Sequence, residues 1–565
     1  MFLPTTREEM EKLGWKELDI IFVTGDAYVD HPSFGVALLG HYLVSKSYKV
    51  GIIAQPDWQS GKDITRLGRP RLFFGVTAGN VDSMVANYTA SMKKRKSDEY
   101  TPGGVNNRRP DRAVIVYCNL IKRFFPKVPI IIGGIEASLR RFAHYDWWSD
   151  KIRKSILVDS KADLLVYGMG EKTLLQIAET LSKTEDIEAC KSLRGIVYWT
   201  SKKPQEGIEL PSFEEISINK EAYAKMAKMQ LYLTDPMKNI VLYQKQDTRY
   251  VVQNPPQFPL EQEEFDKLYL LPFERKVHPY YEAQGHVPAI DMIQFSITAV
   301  RGCYGMCSFC ALTHHQGTHV VSRSEESILE ETKILTKHEN FKGTITDVGG
   351  PTANMYGAFC KTRSEKGQCG KFCLHPNPCN LSLPDHDRFL SLLEKVKSVP
   401  GVKHVYVSSG LRHDLILHDK DYLNIIRRLV EFTPGQLKLA PEHAHPDVLR
   451  LMRKPPVELF LKFKKIFETE ARKMGEKRYV IGYFIVAHPG ESLKENNYLH
   501  DFIEKHLGYR PQQIQIFTPT PGTLSTAMYY TEMDPITGEK FHVEKSLKTR
   551  NQMKRNVLFT KEEEV

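Results

Sequence analysis

The chain has 565 residues, with 78 lysines and arginines against 68 aspartates and glutamates, and its hydrophobic and charged fractions are 41% and 26%. The length predicts two or three domains, and the composition is typical of a globular protein. The sequence contains no apolar run of about 18 residues and no apolar leader segment near its start, so we expect no membrane span and a cytoplasmic location.

The net charge of +10 is spread over the whole chain and is not gathered in one segment. A basic excess of this kind is more typical of a solvated surface than of a nucleic-acid interface. Nucleic acid is therefore a secondary expectation as a partner.

The first 200 residues alternate short apolar runs with helical patterns. Asp19–Val23 and Lys49–Ile53 are predicted strands, and Phe34–Val44 is a predicted amphipathic helix between them. Two later predicted strands run into Gly133-Gly134 and into Gly168-Met169-Gly170. This alternation predicts a Rossmann-like parallel α/β domain over residues 1–200, with ligands at the carboxyl ends of the strands.

The rest of the chain divides into three further segments. Weak periodicity and repeated prolines predict a connecting region over residues 201–285. Alternating strands and helices resume over 286–532, with a cysteine-rich insertion at 355–382, and the charged segment 533–565 is predicted to be a tail without core residues.

The nine cysteines are an odd number for a disulfide framework, and seven of them lie between positions 303 and 379. Clustering of this kind is typical of metal ligands in a reducing compartment. The isolated Cys118 and Cys190 are predicted to be packing residues.

Three of the clustered cysteines, Cys303, Cys307 and Cys310, follow a predicted strand with C-x3-C-x2-C spacing. Three thiolates on one loop can hold three irons of a 4Fe-4S cluster and leave the fourth iron open to a substrate. A zinc site would need a fourth ligand, which this loop does not offer. Ser322–Glu325 then supplies the capping signal of a helix.

This loop resembles the signature of the radical S-adenosylmethionine (SAM) superfamily, and the stretch from Ile293 to Glu330 resembles the YgiQ-type proteins within it. The resemblance implies a partial TIM-type (β/α)6 radical SAM barrel after the N-terminal domain. It also implies SAM bound at the open iron, an electron donor such as flavodoxin or ferredoxin, and cleavage of SAM to a 5'-deoxyadenosyl radical.

Two later strand ends resemble SAM-binding elements of the family. Gly349-Gly350-Pro351 is similar to a Gly-Gly-Glu-Pro element whose main chain contacts the SAM amino group, although the glutamate is missing here. The strand that ends in Ser408 and Arg412 suits the ribose or carboxylate of SAM, and Arg323 is a further candidate for the carboxylate. The sequence identifies no catalytic residue beyond these.

Cys360, Cys369, Cys373 and Cys379 form a second group within the cysteine-rich insertion. Four cysteines within twenty residues predict a second metal centre, for which an iron-sulfur cluster and zinc both remain open, and reduced surface thiols are the alternative.

The N-terminal domain is similar to the cobalamin-binding-like domain that precedes many radical SAM barrels. Asp30 and His31 are adjacent and Gly35 follows at the wrong distance for the Asp-x-His-x-x-Gly pattern of a cobalt ligand. We therefore expect a docking domain without cobalamin.

The sequence thus predicts a radical SAM enzyme of unknown substrate. Two alternatives remain open: a methylthiotransferase or cobalamin-dependent methyltransferase, and a non-catalytic iron-sulfur redox or sensor protein.

Overall fold

The computed structural model describes residues 1–512 and 514–558. Its strands in chain order are β1 (Ile20–Thr24), β2 (Val29–Asp30), β3 (Val50–Ala54), β4 (Phe73–Thr77), β5 (Ile130–Ile132), β6 (His144–Asp146), β7 (Lys151–Arg153), β8 (Leu164–Val166), β9 (Ile196–Thr200), β10 (Ile208–Leu210), β11 (Leu242–Gln246), β12 (Arg249–Gln253), β13 (Lys276–Val277), β14 (Ser296–Thr298), β15 (Val300–Arg301), β16 (Val321–Ser322), β17 (Thr344–Ile345), β18 (Asp347–Gly349), β19 (His404–Val405), β20 (Gln436–Glu442), β21 (Tyr479–Val486) and β22 (Ile514–Ile516).

The α-helices in chain order are α1 (Arg7–Lys12), α2 (Gly35–Val44), α3 (Ser83–Asn87), α4 (Ala113–Phe124), α5 (Gly134–Leu139), α6 (Ile156–Ser160), α7 (Glu171–Thr184), α8 (Phe213–Ile218), α9 (Lys220–Leu233), α10 (Gln262–Tyr269), α11 (Pro279–Glu282), α12 (Ala289–Ile293), α13 (Leu312–Gln316), α14 (Glu325–Thr336), α15 (Lys361–Lys366), α16 (His386–Ser398), α17 (His413–His418), α18 (Tyr422–Glu431), α19 (Pro446–Met452), α20 (Val457–Lys473), α21 (Leu493–His506), α22 (Leu524–Thr531) and α23 (Leu547–Leu558). Over the described ranges, no helix is both long enough and apolar enough to cross a bilayer.

The chain divides into two compact units, and the first comprises Met1–Phe258 and Leu271–Gln294. Its main sheet has the order β10-β11-β12-β9-β8-β5-β4-β1-β3, in which the segment from β3 to β8 is parallel. Strands β1, β3 and β5 are completely buried, as expected for parallel strands covered on both faces. The order of the parallel strands is that of a doubly wound fold, whose ligands lie outside the carboxyl ends of the strands near β1 and β4.

The predicted connecting region belongs mostly to this first unit. β10, β11 and β12 extend its sheet through parallel and antiparallel pairs, so the predicted end of the domain at residue 200 differs from the structure. The sequence does not predict β11 as a strand, because its polar Gln244 and Gln246 lie in buried positions and interrupt the apolar pattern.

The second unit comprises Pro259–Leu270 and the described residues from Phe295 onward. Its strands β14, β18, β17, β19, β20, β21 and β22 form parallel pairs and alternate with helices, which is the partial TIM-type barrel predicted from the sequence. Ser324 caps α14 by accepting a hydrogen bond from Ser327 N at 3.1 Å, so the predicted helix start is confirmed.

The predicted tail also differs from the structure over its described part. Helix α23 packs against α21 and β22 and buries Arg550, Met553 and Val557. Three buried residues spaced along one face hold this helix although the segment is charged. Residues 559–565 of the predicted tail lie outside the described residues.

Candidate metal centre

The three cysteines predicted to bind iron lie in the long loop between β15 and β16. β15 and β16 pair in antiparallel fashion and close the loop at its base. Gly302 has a φ of +79°, and a Cβ atom there would meet the carbonyl oxygen of His319 at 2.0 Å. Only glycine therefore fits at the entrance of the loop.

The thiols of this loop meet polar groups from two other strand ends. Cys303 Sγ lies 3.5 Å from Thr352 Oγ1 and accepts a hydrogen bond from Gly305 N at 3.4 Å. Cys307 Sγ accepts from Arg412 Nη1 at 3.5 Å. These distances are ordinary for hydrogen bonds to sulfur, and donors of this kind suit thiolates that also bind a metal.

Burial acts strongly on two of the three thiols. It raises the pKa of Cys303, and it raises the pKa of Cys310 to about 12, with a further contribution from the neighbouring thiols of Cys307 and Cys303. Thiols of this kind lose their protons when a cation takes their place, because a metal stabilises the thiolate directly. The donor set therefore fits a metal-bound state.

The thiols of Cys303, Cys307 and Cys310 are not gathered around one point. Across residues 1–512 and 514–558, no three His, Cys, Asp or Glu side chains are gathered closely enough to hold one metal ion. In a 4Fe-4S cluster each cysteine binds its own iron, so the ligands need not converge on one point.

Gly349 and Gly350 lie between two neighbouring strand ends. A Cβ at Gly350 would meet the carbonyl oxygen of Val300 at 2.1 Å, and a Cβ at Gly349 would meet Ser409 Oγ at 1.8 Å. The absence of side chains thus lets the Gly-Gly main chain approach both the strand before the cysteines and the strand end at Ser409. This brings together the sequence-predicted glycines and the cysteine loop.

Ser408 lies exposed at the same end of the barrel strands. Its hydroxyl donates to the carbonyl oxygen of Thr346 at 2.7 Å, and its amide donates to Asp347 Oδ1 at 2.7 Å. Ser409 N donates to the same carboxylate oxygen at 3.0 Å. These bonds tie two strand ends together and leave the Ser408 oxygen as an acceptor.

Arg412 is buried beside the cysteine loop. Its Nε and Nη2 donate to the two oxygens of Asp414 at 2.7 and 2.6 Å, while Nη1 points to Cys307. Its backbone amide donates to Asn354 Oδ1 at 2.8 Å. Arg323, by contrast, is fully buried in an ion pair with Glu331 and is not available to a ligand.

Three residues of this site were missed at the level of sequence: Thr352, Asp414 and Asn354. Each follows a predicted element closely, since Thr352 stands two residues after Gly350 and Asp414 two residues after Arg412. Polar residues immediately after a predicted strand end would have identified them, because such positions face the ligand in barrels of this type.

The second cysteine group lies against the first. Cys373 and Leu374 are buried in one apolar cluster with Tyr304, and Cys303 and Cys379 pack against that cluster. The structure thus brings the cysteine-rich insertion into contact with the loop of the predicted iron ligands.

In the first unit, His31 is held by neighbours on both ring nitrogens. Nδ1 accepts from Ser33 N at 3.0 Å, and Nε2 lies 3.0 Å from Arg275 Nη1. Burial and the positive charge of Arg275 hold the pKa of His31 well below its ordinary value. His31 is 1% exposed, so its ring does not fit a ligand of cobalt.

Family models match almost the whole chain. The Radical SAM N-terminal family matches residues 2–296, the Radical SAM superfamily matches 297–503, and a domain of unknown function (DUF3362) matches 512–561. A UPF0313 protein of Thermotoga neapolitana is 73% identical over 561 residues, which is 99% of each chain. A UPF0313 protein of Clostridium botulinum is 50% identical and covers 99% of this chain and 87% of its own.

Two solved structures share the fold at 13% identity. The radical SAM methyltransferase TsrM of Kitasatospora setae, solved with tryptophan and a SAM analogue, has a TM-score of 0.50 over 90% of this chain and 75% of its own. The cobalamin-dependent SAM radical enzyme OxsB, solved with aqua-cobalamin, has a TM-score of 0.51 over 93% of this chain and 57% of its own. The prediction from sequence is confirmed: the chain belongs to the radical SAM superfamily and, within it, to the YgiQ-type UPF0313 proteins.

Proposed function

We propose that the chain is a radical SAM enzyme whose cluster is held by Cys303, Cys307 and Cys310. The observation that carries this proposal is the contact of the cysteine loop with two other strand ends, through Thr352 and Arg412. When bound, a 4Fe-4S cluster with an open iron supplies reductive cleavage of SAM to methionine and a 5'-deoxyadenosyl radical, with an electron from a donor such as flavodoxin or ferredoxin.

The residues around the loop have separate roles in this proposal. Thr352 and Arg412 stabilise the negative charge of the sulfur ligands, and Asp414 holds the Arg412 guanidinium towards Cys307. Because Asp414 orients the Arg412 guanidinium before the cofactors bind, the guanidinium needs no reorganisation when they bind.

Gly349, Gly350, Ser408 and Arg412 are proposed to contact SAM. The two glycines pack closely against Val300 and Ser409, so their contact with SAM rests on the sequence resemblance, and Ser408 offers a hydroxyl oxygen to a ribose hydroxyl. The Arg412 guanidinium is held by Asp414 and Cys307, so its contact with the SAM carboxylate rests on the sequence resemblance alone. No motif of the sequence identifies the substrate of the radical or the residues that bind it.

Anaerobic reduction of the iron-loaded protein with SAM tests this proposal. We expect 5'-deoxyadenosine to form with the unaltered protein and not with Cys307→Ala. The matched control is Cys190→Ala, because Cys190 is a buried packing residue of the first unit. An intact cluster without any 5'-deoxyadenosine would favour the non-catalytic redox or sensor protein instead.

A methylthiotransferase is the second candidate, and the second cysteine group beside the first favours it. The same reaction mixture distinguishes the two functions once a substrate is found, because the product would then carry a methylthio group.

A further inference from the structure

The cysteine-rich insertion is a long loop with little regular structure of its own. Between residues 357 and 384 the described structure contains helix α15 and a single 3-10 turn, Asn380–Ser382. Loops of this length in compact domains are usually tethered or functional. This loop carries four of the nine cysteines of the chain.

Three of the four cysteines lie near one another, and the fourth begins a helix that contacts them. Cys379 N donates to the Cys373 carbonyl oxygen at 2.7 Å, and both Cys369 and Cys379 lie close enough to Cys373 to influence it electrostatically. Cys360 stands at the start of α15, and Arg363 of that helix reaches Cys373 Sγ. Cys369, Cys373 and Cys379 are therefore neighbours in space, and Cys360 is joined to them through the helix that carries Arg363.

The surroundings of Arg363 indicate, independently of the cysteines, that an anionic group binds here. It is 6% exposed, its Nη2 donates to Cys373 Sγ at 3.0 Å, and its Nη1 is buried without a hydrogen-bond partner within the described residues. No aspartate or glutamate of the described chain pairs with it. A buried guanidinium is costly without an anion beside it.

We propose that Cys360, Cys369, Cys373 and Cys379 ligate a second iron-sulfur cluster, with Arg363 as its hydrogen-bonding cation. Four thiolates bound to iron would supply the negative charge that Arg363 lacks, and one cluster would tether the loop at four points. The spacings of eight, three and five residues provide no paired zinc knuckle. Each cysteine of a 4Fe-4S cluster binds its own iron, so these ligands need not converge on a single ion.

Iron, sulfide and zinc analysis of anaerobically reconstituted protein tests the proposal independently of activity. We expect about eight irons per chain in the unaltered protein. We expect about four in the triple variant C303A/C307A/C310A, and about four in the fourfold variant C360A/C369A/C373A/C379A. The control C190A should keep about eight.

The triple variant decides the outcome even if the fourfold variant does not fold. Retention of four irons with the absorption spectrum of an iron-sulfur cluster supports the second site. Loss of all iron in the triple variant overturns the proposal of a second cluster. The proposal is also overturned if the unaltered protein binds one zinc per chain and the fourfold variant loses it. Absence of 5'-deoxyadenosine with both clusters present would contradict the proposed function and leave this inference intact.

A redox titration of the triple variant tests the role of Arg363. Arg363→Met should shift the midpoint potential of the remaining cluster to more negative values, because it removes a positive charge and a hydrogen bond from a ligand. Lys366→Met on the same helix is the matched control, since Lys366 is exposed. Equal potentials in both variants would show that Arg363 does not face the cluster.

Discussion

The strand ends of the two units differ in how their polar groups are used. In the first unit, Asp30 accepts hydrogen bonds from Tyr28 at 2.9 Å and lies 2.7 Å from His41, while His31 is held by Arg275 and Ser33. In the second unit, Cys303 Sγ accepts from Gly305 N at 3.4 Å and Cys307 Sγ accepts from Arg412 Nη1 at 3.5 Å, which are ordinary lengths for hydrogen bonds to sulfur.

The polar groups that follow β2 and those that follow β15 therefore differ in their capacity for a ligand. Groups that pair with one another at short distance stabilise the fold and have little capacity left for a ligand. Thiolates that accept one or two hydrogen bonds keep further sulfur lone pairs for a metal. The cysteine loop belongs to the second kind, and the strand end around His31 belongs to the first.

The largest expected effect is the loss of the first cluster in Cys307→Ala. Without the second of three ligands, we expect this site to lose its iron and the protein to form no 5'-deoxyadenosine. His31→Ala is the matched change in the first unit, and it should leave the iron content unchanged. Iron analysis of both variants measures the difference, and a normal iron content in Cys307→Ala would contradict the comparison.

The next effect concerns the buried pair of Arg412 and Asp414. Asp414→Asn leaves the guanidinium without its counter-ion, so we expect a loss of about 3 kcal/mol in the free energy of unfolding. Urea denaturation measures this loss. An unchanged midpoint would show that the pair contributes nothing to stability or that the guanidinium finds another partner.

The same pair predicts a dependence on pH. Arg412 lowers the pKa of Asp414 to about 2, against the opposing effect of burial. A lowered folded-state pKa means that the contribution to stability is complete above the unfolded value of about 4 and is lost as the pH falls towards 2. Asp414→Asn should therefore reduce the acid sensitivity of unfolding over that range, and equal acid sensitivity would contradict the assignment.

A smaller effect separates the two glycines. Gly350→Ala meets the backbone oxygen of Val300, whereas Gly349→Ala meets the side-chain oxygen of Ser409, which can move. We expect Gly350→Ala to cost about 2 kcal/mol and Gly349→Ala to cost less. Thermal unfolding compares them. The reverse order would show that the strand end at Ser409 is the more rigid one.

The smallest effect is expected for cobalamin in the first unit. Because both nitrogens of His31 have neighbours, we predict that His31 does not ligate cobalt, so that an aqua-cobalamin titration gives the same result for the unaltered protein and for His31→Ala. A spectroscopic titration checks this prediction. Binding that disappears in His31→Ala would contradict the account of this strand end.

The sequence predicts those parts of the molecule whose signal is local. The cysteine spacing, the capping serine before α14 and the buried strands β1 and β3 lie within short stretches, so their patterns are visible without the fold. Contacts such as that of Arg412 with Cys307 join residues 105 positions apart. Such pairs follow from the arrangement of strands, which no local pattern contains.

Two further failures have physical causes of their own. β11 carries buried glutamines that bind polar partners, so its pattern does not look like that of a core strand. Helix α23 is charged along most of its length and is held by few buried residues, including Arg550. Both elements depend on tertiary contacts that override local composition.

Electron paramagnetic resonance of the reduced protein tests the central claim most directly, namely that Cys303, Cys307 and Cys310 leave an iron open to SAM. The account predicts that added SAM changes the spectrum of the reduced cluster in the unaltered protein, and that no SAM-dependent change remains in Cys307→Ala. A full complement of cluster iron with a spectrum that SAM leaves unchanged would contradict it.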